Sequence, residues 1–186
     1  MRRMKLDTDR ILSLTAMLVG VGSLVTLAYQ AGLTRQSQHA SMRPYLYIQL
    51  QSNAQGVHVL LSNSGIGPAL IDDVTIHYKG RDIAADPYDF FLGLSDENKK
   101  LPLGVDKVQK GRLIPAGATI QMMGSDGSEK LLPDMLRLFE IAEVPRSWYA
   151  DAGAAGGDKA VIDITFESVY GDRWRVRSDR IVPDQL

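Results

Sequence analysis

The sequence predicts a mainly β protein: an antiparallel β-sandwich with one or two helical insertions, preceded by a single N-terminal transmembrane helix. Three observations carry this. Residues 11–33 form one uncharged, largely apolar run. The remainder reads as about seven short alternating stretches separated by Gly, Pro, Asn and Asp, the pattern of sandwiches. No strand–helix–strand rhythm of the kind that builds parallel sheets recurs along it.

The run from Ile11 to Leu33 holds 23 residues. As a helix it spans about 34 Å, enough for a hydrocarbon core of about 30 Å. A cleaved signal peptide has an apolar stretch of only about 7–15 residues. The one weak cleavage site, Thr26-Leu27-Ala28, lies inside the run, so an uncleaved anchor is expected. Arg2, Arg3, Lys5 and Arg10 precede it and only Arg35 and Arg43 closely follow. Positive-inside bias then predicts a cytoplasmic segment 1–10, a span 11–33 in the inner (cytoplasmic) membrane, and an extracytoplasmic remainder. Ala16, Gly20 and Ser23 share one helical face, and small residues at this spacing allow close helix–helix approach.

Residues 34–43 are a polar stalk able to continue the helix until Pro44 forces Arg43 into an extended conformation. The domain then runs from 44 to 186. Tyr45 to Leu50 alternates, with Leu46, Ile48 and Leu50 on one face. Ser52 to Gly56 reads as a turn. Val57–Ser62 and Ile71–Tyr78 are strands on either side of the turn-rich Asn63-Ser64-Gly65-Ile66-Gly67-Pro68. Pairing Leu61 with Val74, Val59 with Ile76 and Val57 with Tyr78 makes every inner pair apolar, so an antiparallel hairpin is expected, with His58 opposite His77 on its outer face. Lys79-Gly80 closes a further turn. Asp86-Pro87 has the form of a helix N-cap with proline at the first helical position, opening an insertion over 86–98. Val108–Ile114 and Ala118–Met123 are expected strands. Gly124 to Gly127 reads as a turn. Leu131–Glu143 is expected to be a helix with the apolar stripe Leu132, Met135, Leu136 and Phe139, and 150–159 a loop. Ile162, Ile164 and Phe166, a Tyr170-Gly171-Asp172 turn, then Trp174 and Val176 make a final hairpin with Arg173, Arg175 and Arg177 outside.

The segment 56–80, strand–Asn-x-Gly–strand, resembles immunoglobulin-like adhesion modules of bacteria. The chain is also similar to uncharacterised bacterial membrane-anchored proteins with a Pro-Tyr-Leu strand (here Pro44-Tyr45-Leu46), an Asn-x-Gly-x-Gly-Pro-Ala turn (Asn63 to Ala69) and a late Tyr-Gly-x-x-Trp hairpin (Tyr170 to Trp174). The resemblance covers about a third of the domain. It implies an immunoglobulin-like sandwich, to which 86–98 and 131–143 are additions, and it implies no catalytic residue.

Composition narrows function. The chain has no cysteine, which excludes disulfides, thiolate metal sites and cysteine nucleophiles. Residues 1–43 carry six basic and two acidic side chains, and residues 44–186 carry 15 and 20. A mildly acidic domain is a poor phosphate-binding surface, so nucleic acid is not an expected partner. No nucleophile elbow, Walker loop, zinc-protease or dinucleotide motif is present, and no enzymatic activity, cofactor or metal is expected. His58 and His77 lack an obvious third ligand. The arginine row 173/175/177 fits an acidic partner or internal pairing with Asp163 and Glu167. Phe90 and Phe91, with Tyr88 and Leu94 beside them, fit either an apolar contact patch or the sandwich end. The expectation is a membrane-anchored binding or scaffolding protein, or an accessory subunit of an envelope complex. Its partners are the lipid bilayer and another envelope protein or itself.

Overall fold

A computed structural model describes residues 8–53, 56–94, 105–126, 131–151 and 158–186. The chain divides into two compact units, Met1–Ser41 and Met42–Leu186.

The first unit is one helix, α1, Thr8–Ser41. It is long and apolar enough to cross a membrane. The side chains of residues 8–38 are all exposed. Several of its hydroxyls bond within the helix: Thr15 donates to Ile11 O, Ser23 to Val19 O, Thr26 to Gly22 O and Thr34 to Gln30 O. Such back-bonding lets Ser and Thr sit in an apolar surrounding that offers no other acceptor. The polar segment after Leu33 continues the same helix, which stops before Pro44.

The second unit is built on two antiparallel sheets. β1 (Leu46–Asn53), β2 (Gly56–Asn63) and β6 (Thr119–Asp126) form the smaller, in the order β1-β2-β6. The larger contains β3 (Ala69–Tyr78), β4 (Arg81–Ala84), β7 (Val161–Glu167), β8 (Arg173–Arg177) and β9 (Asp184–Gln185), in the order β4-β3-β7-β8-β9. The two-residue β5, Leu113–Ile114, pairs with the start of β3. α2 (Pro87–Gly93), α3 (Leu131–Leu138) and α4 (Arg146–Asp151) complete the unit.

One hydrophobic core takes Leu46, Val59, Leu61 and Met122 from the smaller sheet and Ile71, Val74, Ile76, Ile164, Phe166 and Val176 from the larger. The inward positions 71 and 74 are three apart, which strict alternation forbids. A β-bulge between Ile71 and Asp73 inserts the extra residue and keeps both inside.

The expected hairpin of β2 with β3 does not form. β2 pairs with β1 and β6, and β3 with β7, β4 and β5. Both strands alternate inward because they face one core from different sheets, and a shared inward pattern does not reveal which edges pair. Asn63 to Pro68 is therefore a crossover between sheets, and His58 and His77 are not cross-strand neighbours.

The strand expected over 108–114 shrinks to Leu113–Ile114. Its first part is diverted: Val108 N–H donates to the Asp86 carboxylate and Gly111 N–H to Ile71 O. β6 continues through Gly124-Ser125-Asp126, where a turn was expected; Gly127 lies outside the described residues. The helix expected over 131–143 ends at Leu138, because Glu140 N–H donates to Ala160 O and Ala142 N–H to Ser178 O. α4 lies partly where a loop was expected. Asp86 caps α2 as predicted, its carboxylate accepting from Tyr88 N–H. Phe90 and Phe91 are buried, Phe90 packing edge-on against Tyr78 and Phe139. They are core residues, which favours the sandwich-end reading of these two side chains over an exposed contact patch.

Candidate functional site

The outer face of the larger sheet is polar because alternation leaves it so. With Ile164, Phe166, Trp174 and Val176 turned inward, Asp163, Thr165 and Glu167 of β7 and Arg173, Arg175 and Arg177 of β8 turn outward. The final hairpin has the expected register, Phe166 opposite Trp174 and Ile164 opposite Val176. The two rows therefore face each other as acids and bases.

On this face, near the end of β3, is His77. Its Nδ1 lies 2.6 Å from Asp82 Oδ1 and its Nε2 lies 3.0 Å from Asp163 Oδ2. The Lys79-Gly80 turn sets Asp82 opposite His77, and β7 brings Asp163 to the other side. An ionised carboxylate only accepts hydrogen bonds, and a neutral imidazole carries one N–H. Satisfying both carboxylates therefore takes the doubly protonated imidazolium. Hydrogen bonding to Asp82, then to Asp163, accordingly raises the His77 pKa above its ordinary 6.5, against partial burial that lowers it.

The network extends sideways. Arg175 Nε lies 3.4 Å from Asp163 Oδ1, so the nearly buried Asp163 stands between imidazole and guanidinium. Arg177 forks onto Asp179 through Nε at 2.9 Å and Nη2 at 2.8 Å. Arg173 approaches Asp72 at 3.4 Å and Glu167 at 4.0 Å. Each arginine of the predicted row thus has an acidic partner within the domain. His77 also borders an open depression of about 340 Å³ with Lys79, Asp158 and Lys159. Burial pushes the Lys159 pKa down, and its ammonium donates to Leu136 O.

The two carboxylates of His77 contact opposite ring nitrogens and cannot converge on one cation. Among the described residues no group of three His, Asp or Glu side chains is placed to hold a metal ion. His58 lies in the other sheet, opposite Gly124, where a Cβ would collide with its ring. In α1, Ala16, Gly20 and Ser23 fall within about 60° of the helix circumference. No heavy atom lies within 4 Å of a Cβ built on Gly20.

Sequence reasoning did not find the Asp82–His77–Asp163 chain. Half of its signal was present: a two-residue turn at 79–80 places 77 opposite 82. The other half needed the pairing of β3 with β7, across about 85 residues of chain. The chain matches no known family profile, no curated protein and no solved structure.

Proposed function

We propose that this is a single-pass, membrane-anchored, non-enzymatic binding or scaffolding protein with an immunoglobulin-like domain outside the cytoplasm. The observation that carries the reading is α1. It is a 34-residue helix, uncharged from Ile11 to Leu33, joined without a long linker to a folded domain. An exposed apolar surface of this length is stable in lipid and not in water. The charged groups on the outer sheet face are paired with one another, which favours a contact surface over a reaction centre. The resemblance to bacterial anchored proteins favours the inner (cytoplasmic) membrane, and flanking charge favours the N-terminus inside. A reporter fused after Leu186 that is active only in the cytoplasm overturns that orientation.

Affinity capture in mild detergent tests the reading. The full-length protein and residues 42–186 are expected to retain the same partner if the domain is the binding module. In the second reading the protein is an accessory subunit of an envelope complex, assembled partly through Ala16, Gly20 and Ser23. Residues 42–186 then lose the partner, and so does Gly20→Leu, which fills the small-residue face.

A further inference from the structure

The topology gathers exposed apolar side chains at one end of the two-sheet domain. β1 begins, β2 ends and β3 begins there. Leu70 sets β5 and the end of β7 beside that point, lying opposite both Leu113 and Glu167. The turn after β7 and the last residue, whose N–H donates to Arg173 O, lie at the same end. Met42, Ile66, Leu113, Val169, Tyr170 and Leu186 are thereby brought together from distant parts of the chain, all exposed, Ile66 to 69% and Val169 to 58%. Single exposed apolar residues are ordinary; six at one end, five of them outside the strands, are not, because such positions favour polar residues.

We propose that this end of the domain dips into the interfacial zone of the lipid bilayer that α1 enters. The proposal rests on the reading of α1 as a membrane anchor. Lipid is favoured as the occupant by chain continuity, since Met42 directly follows the last residue of α1. The polar extension after Leu33 is eight helical residues, a leash of about 12 Å at 1.5 Å per residue. The headgroup layer adds about 5–8 Å to each face of the hydrocarbon core, so the leash starts the domain within about one helical turn of the bilayer surface. Aliphatic side chains with a tyrosine among them suit this zone, where an apolar tip reaches the acyl boundary and a phenol meets the headgroups.

The absence of native cysteine makes the test direct. Single-cysteine variants of the full-length protein carry an environment-sensitive fluorophore in vesicles of phosphatidylethanolamine and phosphatidylglycerol, with and without brominated lipid. Probes at Ile66→Cys and Val169→Cys are expected to lose emission about twofold in brominated lipid, as for side chains held about 5–10 Å into the interface. A probe at Ile181→Cys, exposed beyond the far end of β8, is expected to be unaffected. Leu24→Cys reports the anchor itself. Quenching at Leu24→Cys without quenching at 66 and 169 leaves the anchor standing and overturns the proposal. No quenching at Leu24→Cys overturns both. Equal quenching at 181, or shielding of 66 and 169 from aqueous iodide without quenching by brominated lipid, also overturns it, the latter by showing that protein covers this end.

Discussion

The Asn63 side chain makes five hydrogen-bond contacts. Its amide nitrogen donates to the carbonyls of Gly67, Ile114 and Pro115, and its Oδ1 accepts from Tyr45 N–H and Gly65 N–H. One buried amide thus holds the start of β1, the crossover and the β5–β6 turn. Asn63→Ala strands several buried groups at once, and a loss on the order of 3 kcal/mol is expected in urea unfolding. Asn63→Asp removes the donors and places a carboxylate against three carbonyls, so it is expected to cost at least as much. His77 gives a different signature. Its raised pKa means the imidazolium is favoured in the folded state, so its contribution is complete below the ordinary 6.5. It is lost as pH rises through the higher folded value. Nuclear magnetic resonance is expected to show His77 titrating above 6.5, with His77→Gln flattening the fall of stability over that window. A third of the side chain is exposed, so solvent screening keeps the effect modest. At this scale the sequence shows that Asn63 sits in a turn, but not that its side chain is the turn's internal scaffold. Bonds to residues 45, 114 and 115 exist only once the sheets assemble.

The crossover itself is a close fit of backbone to backbone. Ser64 N–H donates to Tyr45 O, and Ile66 and Gly67 N–H both approach Arg43 O. A Cβ on Gly67 would overlap the Met42 carbonyl, and one on Gly65 would overlap Arg43 and Tyr45. Neither obstacle is a flexible side-chain tip. Gly67→Ala is therefore expected to destabilise by about 1–3 kcal/mol. Gly171, at φ +84° in open space, needs only its left-handed conformation, and Gly171→Ala is expected to cost about 1 kcal/mol. Thermal unfolding of the two variants side by side checks the order. The guanidinium of Arg43 also stacks 4.1 Å from the Trp174 ring centre, fastening the same segment to β8. Elements with local signals were legible: the Asp86-Pro87 cap, the alternation of β7 and β8, and the Tyr170 turn all form as read. Elements whose limits depend on distant partners were not. The backbone of 139–142 turns to Ala160 and Ser178, and no feature of residues 131–143 announces it.

For the domain as a whole, the sheets share one core, so neither buries its apolar face alone. Unfolding of the domain followed by tryptophan fluorescence and by far-ultraviolet circular dichroism is expected to give coincident transitions. Separate midpoints would contradict the shared core. Two sheets of inward-alternating strands were legible from sequence; their partition was not, because β2 and β3 carry the same pattern and differ only in which edge each joins.

The partition has a consequence for synthesis. All three strands of the smaller sheet have been made by Asp126, but β3 does not meet β7 until about 90 residues after its own start. A nascent chain therefore holds Leu46, Val59 and Leu61 without their full covering layer until Phe166 and Trp174 emerge. The interval between those events is when these apolar side chains stand most open to non-native contact.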